Sequence, residues 1–528
     1  MRRRSAVVAA LTVVTGLAAC SSSSSHPRSN AGARVLLVGT YKGRAGGYTT
    51  IQAAVDAARP GDWVLIAPGD YHERYDRSVP VGKAAASGVW VATPGVHIRG
   101  MDRNRVVIDG TLPGAPRCSD RAGDQDFGPA DAKGKPVGRN GLEVWKASGG
   151  SIENLTVCNF LGGSQGGGNQ IWWNGGNGSG VVGLHAYNGS YLSATTTYAG
   201  ANADASYGIY VSNSDGPGVV AHSYASNMSD SGYYIGACPD CNATLDDAHA
   251  EYSALGYSGT NSGGHLTVQN SEFDHNKTGF STNSQNNDDV PSPQDGVCPN
   301  HQIGPTGTRS CWIFEHNFVH DNNTANVPGR GSADLGPPGT GIVIAGGRDD
   351  TVIDNRFENN GSWAVLVVPF PDTDTPPPVA HCQGGDPNGV PGLGIKACYF
   401  DAWGNDIAHN TFKNNGFFAN PTNGDLAEIS GRHKPGNCWH ENVDTGGVTT
   451  APVRLQQTNG ICGVAHEGAQ IGSALTAQVI CATEVFGSCP SKPGSVYPRR
   501  TRLVLPALTP QASMPNPCAG VPTNPWCT

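Results

Sequence analysis

The chain has 528 residues and a formal net charge of −9, with 73 glycines, 37 prolines and only 15% charged residues. This acidic balance excludes a general nucleic-acid binder, whose contact surface is basic. A hydrophobic content of 38% argues against a disordered chain, and together with the many turn residues it predicts short strands joined by tight turns.

The first twenty residues have the three parts of an export signal. Three arginines at positions 2–4 precede an apolar stretch, 6–17, that is too short to span a bilayer. The segment closes with Leu17-Ala-Ala-Cys20 and resembles a bacterial lipoprotein signal, with an ordinary secretory signal as the alternative. We therefore expect residues 1–19 to be removed, Cys20 to carry a lipid on the outer face of the cell membrane, and residues 20–34 to form a flexible tether.

The cysteines support the same location. Setting Cys20 apart from the fifteen leaves an even number, which predicts disulfides in an exported protein. Cys238-Pro-Asp-Cys241 has the spacing of a redox or zinc motif, but it lacks the second pair that a zinc site needs, so a structural disulfide is expected. Other closely spaced cysteines are Cys298 with Cys311, Cys382 with Cys398, Cys481 with Cys489, and Cys518 with Cys527.

A repeat runs through the middle of the chain, with an aliphatic residue, an aromatic residue five positions later, and Asn or Asp three further on. A period in the twenties is typical of a solenoid, in which equivalent residues of successive coils stack into one core. Asparagine suits the bends, since its side chain bonds backbone groups and tolerates left-handed conformations. The copies are Val219-Tyr224-Asn227, Val268-Phe273-Asn276, Ile313-Phe318-Asp321, Val352-Phe357-Asn360 and Ile407-Phe412-Asn415, with looser ones at Ile152-Val157 and Val182-Tyr187 and a degenerate one at Ala250.

The segment Tyr48–Glu73 contains Ile-Gln-Ala-Ala-Val-Asp-Ala-Ala and ends in Pro-Gly-Asp-Tyr-His-Glu. It resembles the entry to pectate-lyase-like right-handed parallel β-helix proteins. The resemblance implies an all-β solenoid over 35–444 with a capping helix at about Ile51–Ala58. The Cys- and Pro-rich residues 445–528 are expected to form a cap over the last coil, the part that solenoids need. The resemblance implies the fold and leaves the activity open.

Signatures of related enzymes do not transfer to this chain residue by residue. The aspartate motifs of pectin methylesterases, the Gly-His-Gly of polygalacturonases and the Asp-Pro-His-Asp of mannuronan epimerases are all missing. Candidate catalytic residues are therefore chosen by chemistry alone. Asp288 and Asp289, in a long insertion, could bind Ca²⁺ or act as acid and base, with a solvated acidic loop as the alternative.

Two further groups are candidates. Asp230 stands near Tyr233 and Tyr234, and these rings, like Trp172 and Trp173, are expected to stack against sugar; the alternative is core aromatics beside a turn aspartate. Arg348 could stabilise a lyase intermediate with Lys277 nearby, or could belong to a polar turn. Histidines at 249, 265, 275 and 409 lie in the repeat, but no metal-binding spacing unites them.

These observations favour a monomeric, surface-anchored protein that binds and processes a polysaccharide as a lyase or hydrolase. A non-catalytic envelope protein that binds glycan is the alternative. A periplasmic metal-handling β-helix is a third possibility, for which no open set of Met or Cys ligands is visible in the sequence.

Overall fold

A computed structural model describes most of the chain. The described residues are 32–74, 86–176, 182–200, 203–285, 302–372, 382, 384–390, 397–431, 434–483 and 496–528. Cys20, Asp288 and Asp289, with the predicted signal and tether up to residue 31, lie outside them.

Two long parallel sheets wind together as a right-handed parallel β-helix, which confirms the predicted fold. Sheet A contains β1 (Val35–Val38), β4 (Trp63–Ile66), β5 (Gly69–Tyr71), β7 (His97–Gly100), β8 (Val106–Asp109), β10 (Ser151–Cys158), β14 (Tyr187–Thr195), β16 (Gly218–Ser226), β18 (Cys238–Glu251), β20 (Ser262–Gln269), β21 (Glu272–Asp274), β23 (Trp312–Glu315), β24 (Phe318–His320), β26 (Thr351–Ile353), β27 (Arg356–Glu358), β31 (Asp406–Ala408), β32 (Thr411–Lys413), β34 (Cys438–His440) and β35 (Val443–Asp444). Sheet B contains β6 (Ala86–Val91), β9 (Arg139–Trp145), β13 (Ile171–Asn174), β15 (Tyr207–Ser212), β17 (Ser231–Gly236), β19 (Leu255–Thr260), β22 (Thr278–Asn283), β25 (Thr340–Ala345), β28 (Trp363–Val368), β33 (Gly424–Glu428) and β36 (Thr450–Ala451).

Smaller elements decorate the coils. Among the described residues, three antiparallel strand pairs join β2 (Thr40–Tyr41) with β3 (Arg44–Ala45), β11 (Gly162–Gly163) with β12 (Gly166–Gly167), and β29 (Phe370–Asp372) with β30 (Cys398–Phe400). The α-helices are α1 (Ile51–Ala57), α2 (Leu455–Thr458) and α3 (Ala474–Thr483), and short 3₁₀ turns span Ala122–Asp124 and Gly331–Leu335. Within the described ranges, no helix has the length and apolar character that crossing a membrane requires.

Equivalent residues of successive coils stack in register through the core, as the repeat predicts. One inward column contains Val268, Phe314, Val352, Ile407 and Trp439, and a second contains Ala250, Phe273, Val319, Phe357 and Phe412. All of these side chains are buried. Stacking of like side chains therefore supplies a continuous apolar core.

Two copies of the predicted repeat are displaced by one residue: the core residues are Phe314 and Val319 rather than Ile313 and Phe318, and Val220 and Ala225 rather than Val219 and Tyr224. The looser copy Val182-Tyr187 does not align with the other coils, because Gly189 and Ala194 occupy the equivalent positions, although Tyr187 is also buried in the core. Val219 is 39% exposed, and Phe318 lies on the outer face against Arg356 and His320. Adjacent strand residues face opposite sides. Aromatic side chains on the outer face therefore fitted the repeat pattern one position away from the true core residues.

Asparagine ladders hold the coils together at the bends of sheet A. Each ladder side chain donates to the amide oxygen of the next, with nitrogen–oxygen distances of 2.9–3.2 Å. The residue before each of these asparagines has a positive φ, which turns the chain sharply. One ladder contains Asn276, Asn322, Asn360 and Asn415, and another contains Asn317, Asn355, Asn410 and Asn442.

The capping helix forms where it was predicted, and the Pro-Gly-Asp-Tyr-His-Glu turn explains its position. Thr50 caps α1 by accepting from the Ala53 amide at 3.3 Å. Glu73 accepts from the amides of Ile51 at 2.6 Å and Gln52 at 3.2 Å. A carboxylate at a helix N-terminus satisfies free N–H groups and complements the helix dipole. The glutamate of this motif therefore has a structural role.

The C-terminal tail does more than cover the last coil. Gln456 of α2 accepts from Asn442 at 3.0 Å and so ends one ladder, while Leu475 and Ala482 of α3 pack on the outer face of sheet B. Residues 496–528, the strap, then run back along the solenoid to the first coils. The strap contacts Asp334, Asn227, Asn104, Arg103, Arg99 and Arg44 in turn.

Five disulfides are described, and three of them join predicted neighbours: Cys238–Cys241, Cys382–Cys398 and Cys518–Cys527. The other two, Cys118–Cys158 and Cys438–Cys462, join cysteines 40 and 24 positions apart and were not predicted. Cys298 and Cys489 lie outside the described residues. Cysteines that are about one coil or more apart in sequence become neighbours only once the chain has wound into successive coils.

Replacing Asn355 by alanine should lower the free energy of unfolding by about 3 kcal/mol, because buried groups on neighbouring coils lose their partners. Asn355 is 1% exposed, donates to the Phe314 carbonyl at 2.9 Å, and accepts from Asn317 at 2.9 Å. Denaturant unfolding measures the effect. The exposed Asn388→Ala variant is the control, with an expected change below about 0.5 kcal/mol. Equal effects of both changes would refute the ladder's role.

Trp526→Ala should release the end of the strap. Trp526 is 3% exposed, packs with Trp63 and Leu65, and donates to the Arg44 carbonyl at 2.9 Å. Loss of a buried tryptophan costs about 3–5 kcal/mol of packing. Limited proteolysis should therefore cut residues 496–528 faster than in the wild type. Val504→Ala, at a strap position 69% exposed, is the matched control and should leave the cutting rate unchanged.

Candidate functional site

An outward column of aromatic side chains crosses three strands of sheet B. Trp172, Tyr210 and Tyr234 each follow an inward core residue and therefore point outward. They pair in register across β13, β15 and β17, next to Glu143 of β9. Farther along sheet B, α3 covers the equivalent outward positions. The aromatic column therefore lies on the part of the sheet that this helix leaves uncovered.

A cleft of about 290 Å³ opens over this column. Trp172 and Tyr210 stack with ring centroids 5.0 Å apart and planes 10° from parallel. Tyr207 stacks on Tyr210 at 4.4 Å, and Tyr234 meets Tyr210 edge-on at 4.8 Å. The lining residues are Asn140, Glu143, Gln165, Gly166, Gly167, Asn169, Trp172, Ser206, Tyr207 and Tyr210. The cleft thus combines aromatic rings with amides and one carboxylate.

Glu143 organises the polar side of the cleft. Only 1% exposed, it accepts from Ser87 Oγ at 2.6 Å, Asn174 Nδ2 at 2.7 Å and Asn140 Nδ2 at 3.2 Å. Hydrogen bonding compensates for the cost of burying the charge and fixes the Asn140 amide. The Asn140 oxygen in turn accepts from the backbone amide of Asn169 at 3.4 Å.

Asp230 lies beside Tyr207 at the edge of the cleft, and its backbone amide donates to the Ser206 carbonyl at 3.0 Å. Burial raises the pKa of Asp230 to about 7, against the lowering effect of hydrogen bonds from Tyr207 and Ser231. Burial also raises the pKa of Tyr207 well above its usual range, with a smaller contribution from Asp230. A carboxyl group that titrates near neutral pH can exchange a proton under physiological conditions.

The structure brings together three of the predicted site residues, Trp172, Tyr234 and Asp230. Two predicted sugar-binding residues need correction: Tyr233 and Trp173 are each 1% exposed and point into the core. They occupy inward positions next to the outward ones, so they cannot reach a ligand.

Arg348 is separate from this group. It is 5% exposed, and it donates to the backbone carbonyls of Asp401 at 2.9 Å and Gly384 at 2.7 Å. Lys277 lies near Asp334, with 3.4 Å between Nζ and Oδ1, rather than near Arg348. The expected pairing of the two cations is therefore wrong.

Several cleft residues escaped prediction: Tyr207, Tyr210, Glu143, Asn140 and Asn169. Their positions in sequence show no common motif, because they come from three successive coils. The available signal was the alternation in Ile171-Trp172 and Ile209-Tyr210, where an aromatic follows a core aliphatic residue. With the correct register, that alternation would have placed both rings on the outer face.

The fold defines the chain as a right-handed parallel β-helix repeat protein. Residues 186–446 match the model of the family described as periplasmic copper-binding protein (NosD). No curated protein matches the chain.

Solved structures similar to this chain include the A-module of a mannuronan C-5 epimerase from Azotobacter vinelandii, at 14% identity and TM-score 0.42, covering 74% of this chain and 89% of that one. An alginate lyase from a Paenibacillus species is 12% identical with TM-score 0.31, covering 72% and 95%. The pectate lyase Pel9A is 12% identical with TM-score 0.34, covering 63% and 76%.

Asp230→Asn should stabilise the protein at alkaline pH. The folded-state pKa of about 7 exceeds the ordinary value of 3.8, so the stability contributed by the neutral form is present below about pH 4 and lost as the pH rises through 7. Unfolding free energies at about pH 4.5 and about pH 8 should show a gain only at the higher pH. Asp120→Asn, at an exposed position, should show no such difference. A gain of equal size at both values would contradict the assigned pKa shift.

Proposed function

We propose that the cleft over β9, β13 and β15 binds a polysaccharide chain. The observation that carries this proposal is the aromatic group of Trp172, Tyr207 and Tyr210, set beside the fixed amides of Asn140 and Asn169. The apolar faces of sugar rings pack against aromatic rings, while amides and carboxylates bond sugar hydroxyls. Ligand sites typically combine such apolar walls with a few placed polar groups.

The charge of the cleft favours a neutral glycan. Among the described residues that line the cleft, Glu143 is the one that carries a charge, and the whole chain carries a net charge of −9. A uronate polymer would bring repeated negative charge to a cleft whose described lining contains no Lys or Arg side chain. Neutral sugars avoid that repulsion.

Processing of the bound chain would use Asp230 and Tyr207. A carboxyl with a pKa of about 7 is suited to general acid–base work, and the neighbouring phenol could relay or orient a proton. A hydrolase would need a second carboxylate, and Glu143 is the one in the cleft, but its oxygens already accept hydrogen bonds from Ser87, Asn140 and Asn174. Binding is therefore the primary function proposed here, with turnover as its extension.

The proposed location is outside the cytoplasm, with the chain held at the membrane by a lipid on Cys20. The described disulfides support export, because such bonds persist mainly in oxidising compartments. We also propose that the protein acts as a monomer. The predicted calcium ligands Asp288 and Asp289 lie outside the described residues, so glycan binding should be measured with and without Ca²⁺.

A second candidate function is copper binding, the property in the description of the matched family. Seven of the described histidines between residues 186 and 446 favour it, because each lies within hydrogen-bond distance of a carboxylate on or beside sheet A. They are His222, His249, His265, His275, His320, His409 and His440. Imidazole and carboxylate groups are both copper ligands.

Tyr210→Ala should weaken glycan binding by about tenfold or more, because the removed ring lies at the centre of the aromatic group. A glycan array identifies the ligand, and calorimetry on that ligand gives the dissociation constants. Phe417→Ala, at an aromatic position that is 46% exposed, is the matched control and should bind as the wild type does.

Product analysis with the wild type and Asp230→Asn then separates binding from turnover. Shortened or unsaturated products that depend on Asp230 would establish catalysis, whereas binding alone would make the protein a lectin-like binder. Undiminished binding by Tyr210→Ala, or binding confined to uronates, would overturn the proposed cleft.

A further inference from the structure

We propose that Ser151 and His97 form a nucleophilic pair that hydrolyses short-chain carboxylic esters on the outer face of sheet A. The observation that carries this inference is a contact between a hydroxyl and an imidazole in a second cleft, where Ser151 Oγ lies 2.9 Å from His97 Nδ1. This activity goes beyond the glycan binding proposed for the cleft over sheet B and does not depend on it.

Stacking of four coils brings the residues of this site into one column. Trp63 of β4 pairs in register with His97 of β7, and His97 pairs with Ser151 of β10. Ser151 pairs in turn with Asn188 of β14. Trp63, His97 and Ser151 each precede a core residue and therefore point outward. Because a coil or more separates these residues in sequence, no short motif reveals the pair.

A cleft of about 280 Å³ opens over the column, and Trp63, His97, Ser151, Glu153 and Asn188 are among the residues that line it. The ring of His97 stacks on Trp63 with centroids 4.5 Å apart and planes 23° from parallel, which holds the imidazole beside the hydroxyl. This volume lies at the lower end of the range for ligand pockets, and it therefore suits a short acyl group.

The charges around the pair favour proton transfer to His97. Burial is the largest effect on its pKa and lowers it below 6.5, Glu153 raises it, and Arg99 lowers it further. The imidazole is therefore mainly neutral near pH 7 and is able to accept a proton. Glu153 Oε2 lies 3.3 Å from Ser151 Oγ and 2.7 Å from Arg99 Nη2. The Glu153 carboxylate favours the imidazolium that forms, while Arg99 fixes its position.

The reaction assigned to this pair has two steps. His97 Nδ1 removes the hydroxyl proton as Ser151 Oγ bonds to the ester carbonyl carbon, and the alcohol then leaves with the proton from His97. Water next attacks the acyl-serine and gives a proton to His97, the bond from the acyl carbon to Oγ breaks, and Ser151 recovers its proton as the carboxylic acid departs. Esters are the substrate class because an alcohol leaves more readily than an amine.

Asn188 is placed to stabilise the negative charge that develops on the carbonyl oxygen. Its side chain is exposed in the cleft, one strand away from Ser151, and adjacent strands lie about 4.8 Å apart. Amide N–H groups that point at a developing oxyanion lower the barrier to acyl transfer. Asn188 therefore supplies the third group of the site, on the side of Ser151 opposite His97.

A fluorophosphonate probe and p-nitrophenyl acetate test the pair on the full chain. The probe bonds to an activated serine with loss of fluoride, and peptide mapping should find it on Ser151. Ser151→Ala and His97→Gln should each lower kcat/KM for p-nitrophenyl acetate by about 100-fold or more. Ser190→Ala is the matched control, because Ser190 lies on β14 in register with Glu153 and should leave the rate unchanged.

The pH dependence and Asn188 give two further readouts. The rate constant kcat/KM should rise with pH and reach half its maximum below pH 6.5, because the base is His97 with a lowered pKa. Asn188→Ala should lower kcat by about tenfold or more with little change in KM, since the amide acts on the transition state. A half-maximum above pH 6.5 would contradict the assignment of His97 as the base.

Labelling of the wild type needs no variant, so the proposal stays testable even if Ser151→Ala fails to fold. A label on a different serine, hydrolysis that survives Ser151→Ala, or the lack of both label and hydrolysis would overturn the site. Glycan binding measured on the same variant should equal that of the wild type. The failure of the ester site and the failure of the glycan cleft are therefore seen separately.

Discussion

Buried asparagine side chains fix the register of successive coils, and the rest of the molecule depends on that register. Each amide in a ladder is both donor and acceptor, so a coil that slipped by one residue would leave several buried polar groups unpaired. A slip of one position would also turn the core columns outward. The ladders and the apolar columns therefore select the same alignment.

A fixed register also decides what the outer faces carry. On sheet B, alignment places Trp172, Tyr210 and Tyr234 side by side, and α3 covers the later coils. On sheet A, the same alignment sets His249 beside Glu272 and Asp274 beside His320. One face is thus aromatic and amide-rich and the other is ionic. Rigid strands hold both groups of side chains in place.

The strap joins distant coils that would otherwise contact only their neighbours. In a solenoid, stability is approximately a sum of local interfaces, so the terminal coils are the first to open. Arg103 donates to the Ala512 carbonyl at 2.9 Å and Trp526 packs with Trp63 in the first coils. The strap therefore links the opening of the first coils to the release of the C-terminus.

The sequence by itself determined the fold class, the capping helix and the three close disulfides. Hydrophobic repeats, glycine turns and the Pro-Gly-Asp-Tyr-His-Glu motif are local signals. Such signals can be recognised in the sequence without knowing how the coils stack. The same signals selected Trp172, Tyr234 and Asp230 as candidates together with Trp173 and Tyr233, which point into the core. If the alternation along a strand is assigned one residue out of register, inward residues are taken for outward ones and the reverse.

Tertiary structure alone decided the neighbours across coils. The cleft around Glu143, the disulfide Cys118–Cys158 and the pairing of Asp274 with His320 all join residues separated by a coil or more. Coil lengths vary because insertions enlarge some turns, so spacing along the chain does not give position along the solenoid. Only the hydrogen-bond register between coils fixes which side chains meet.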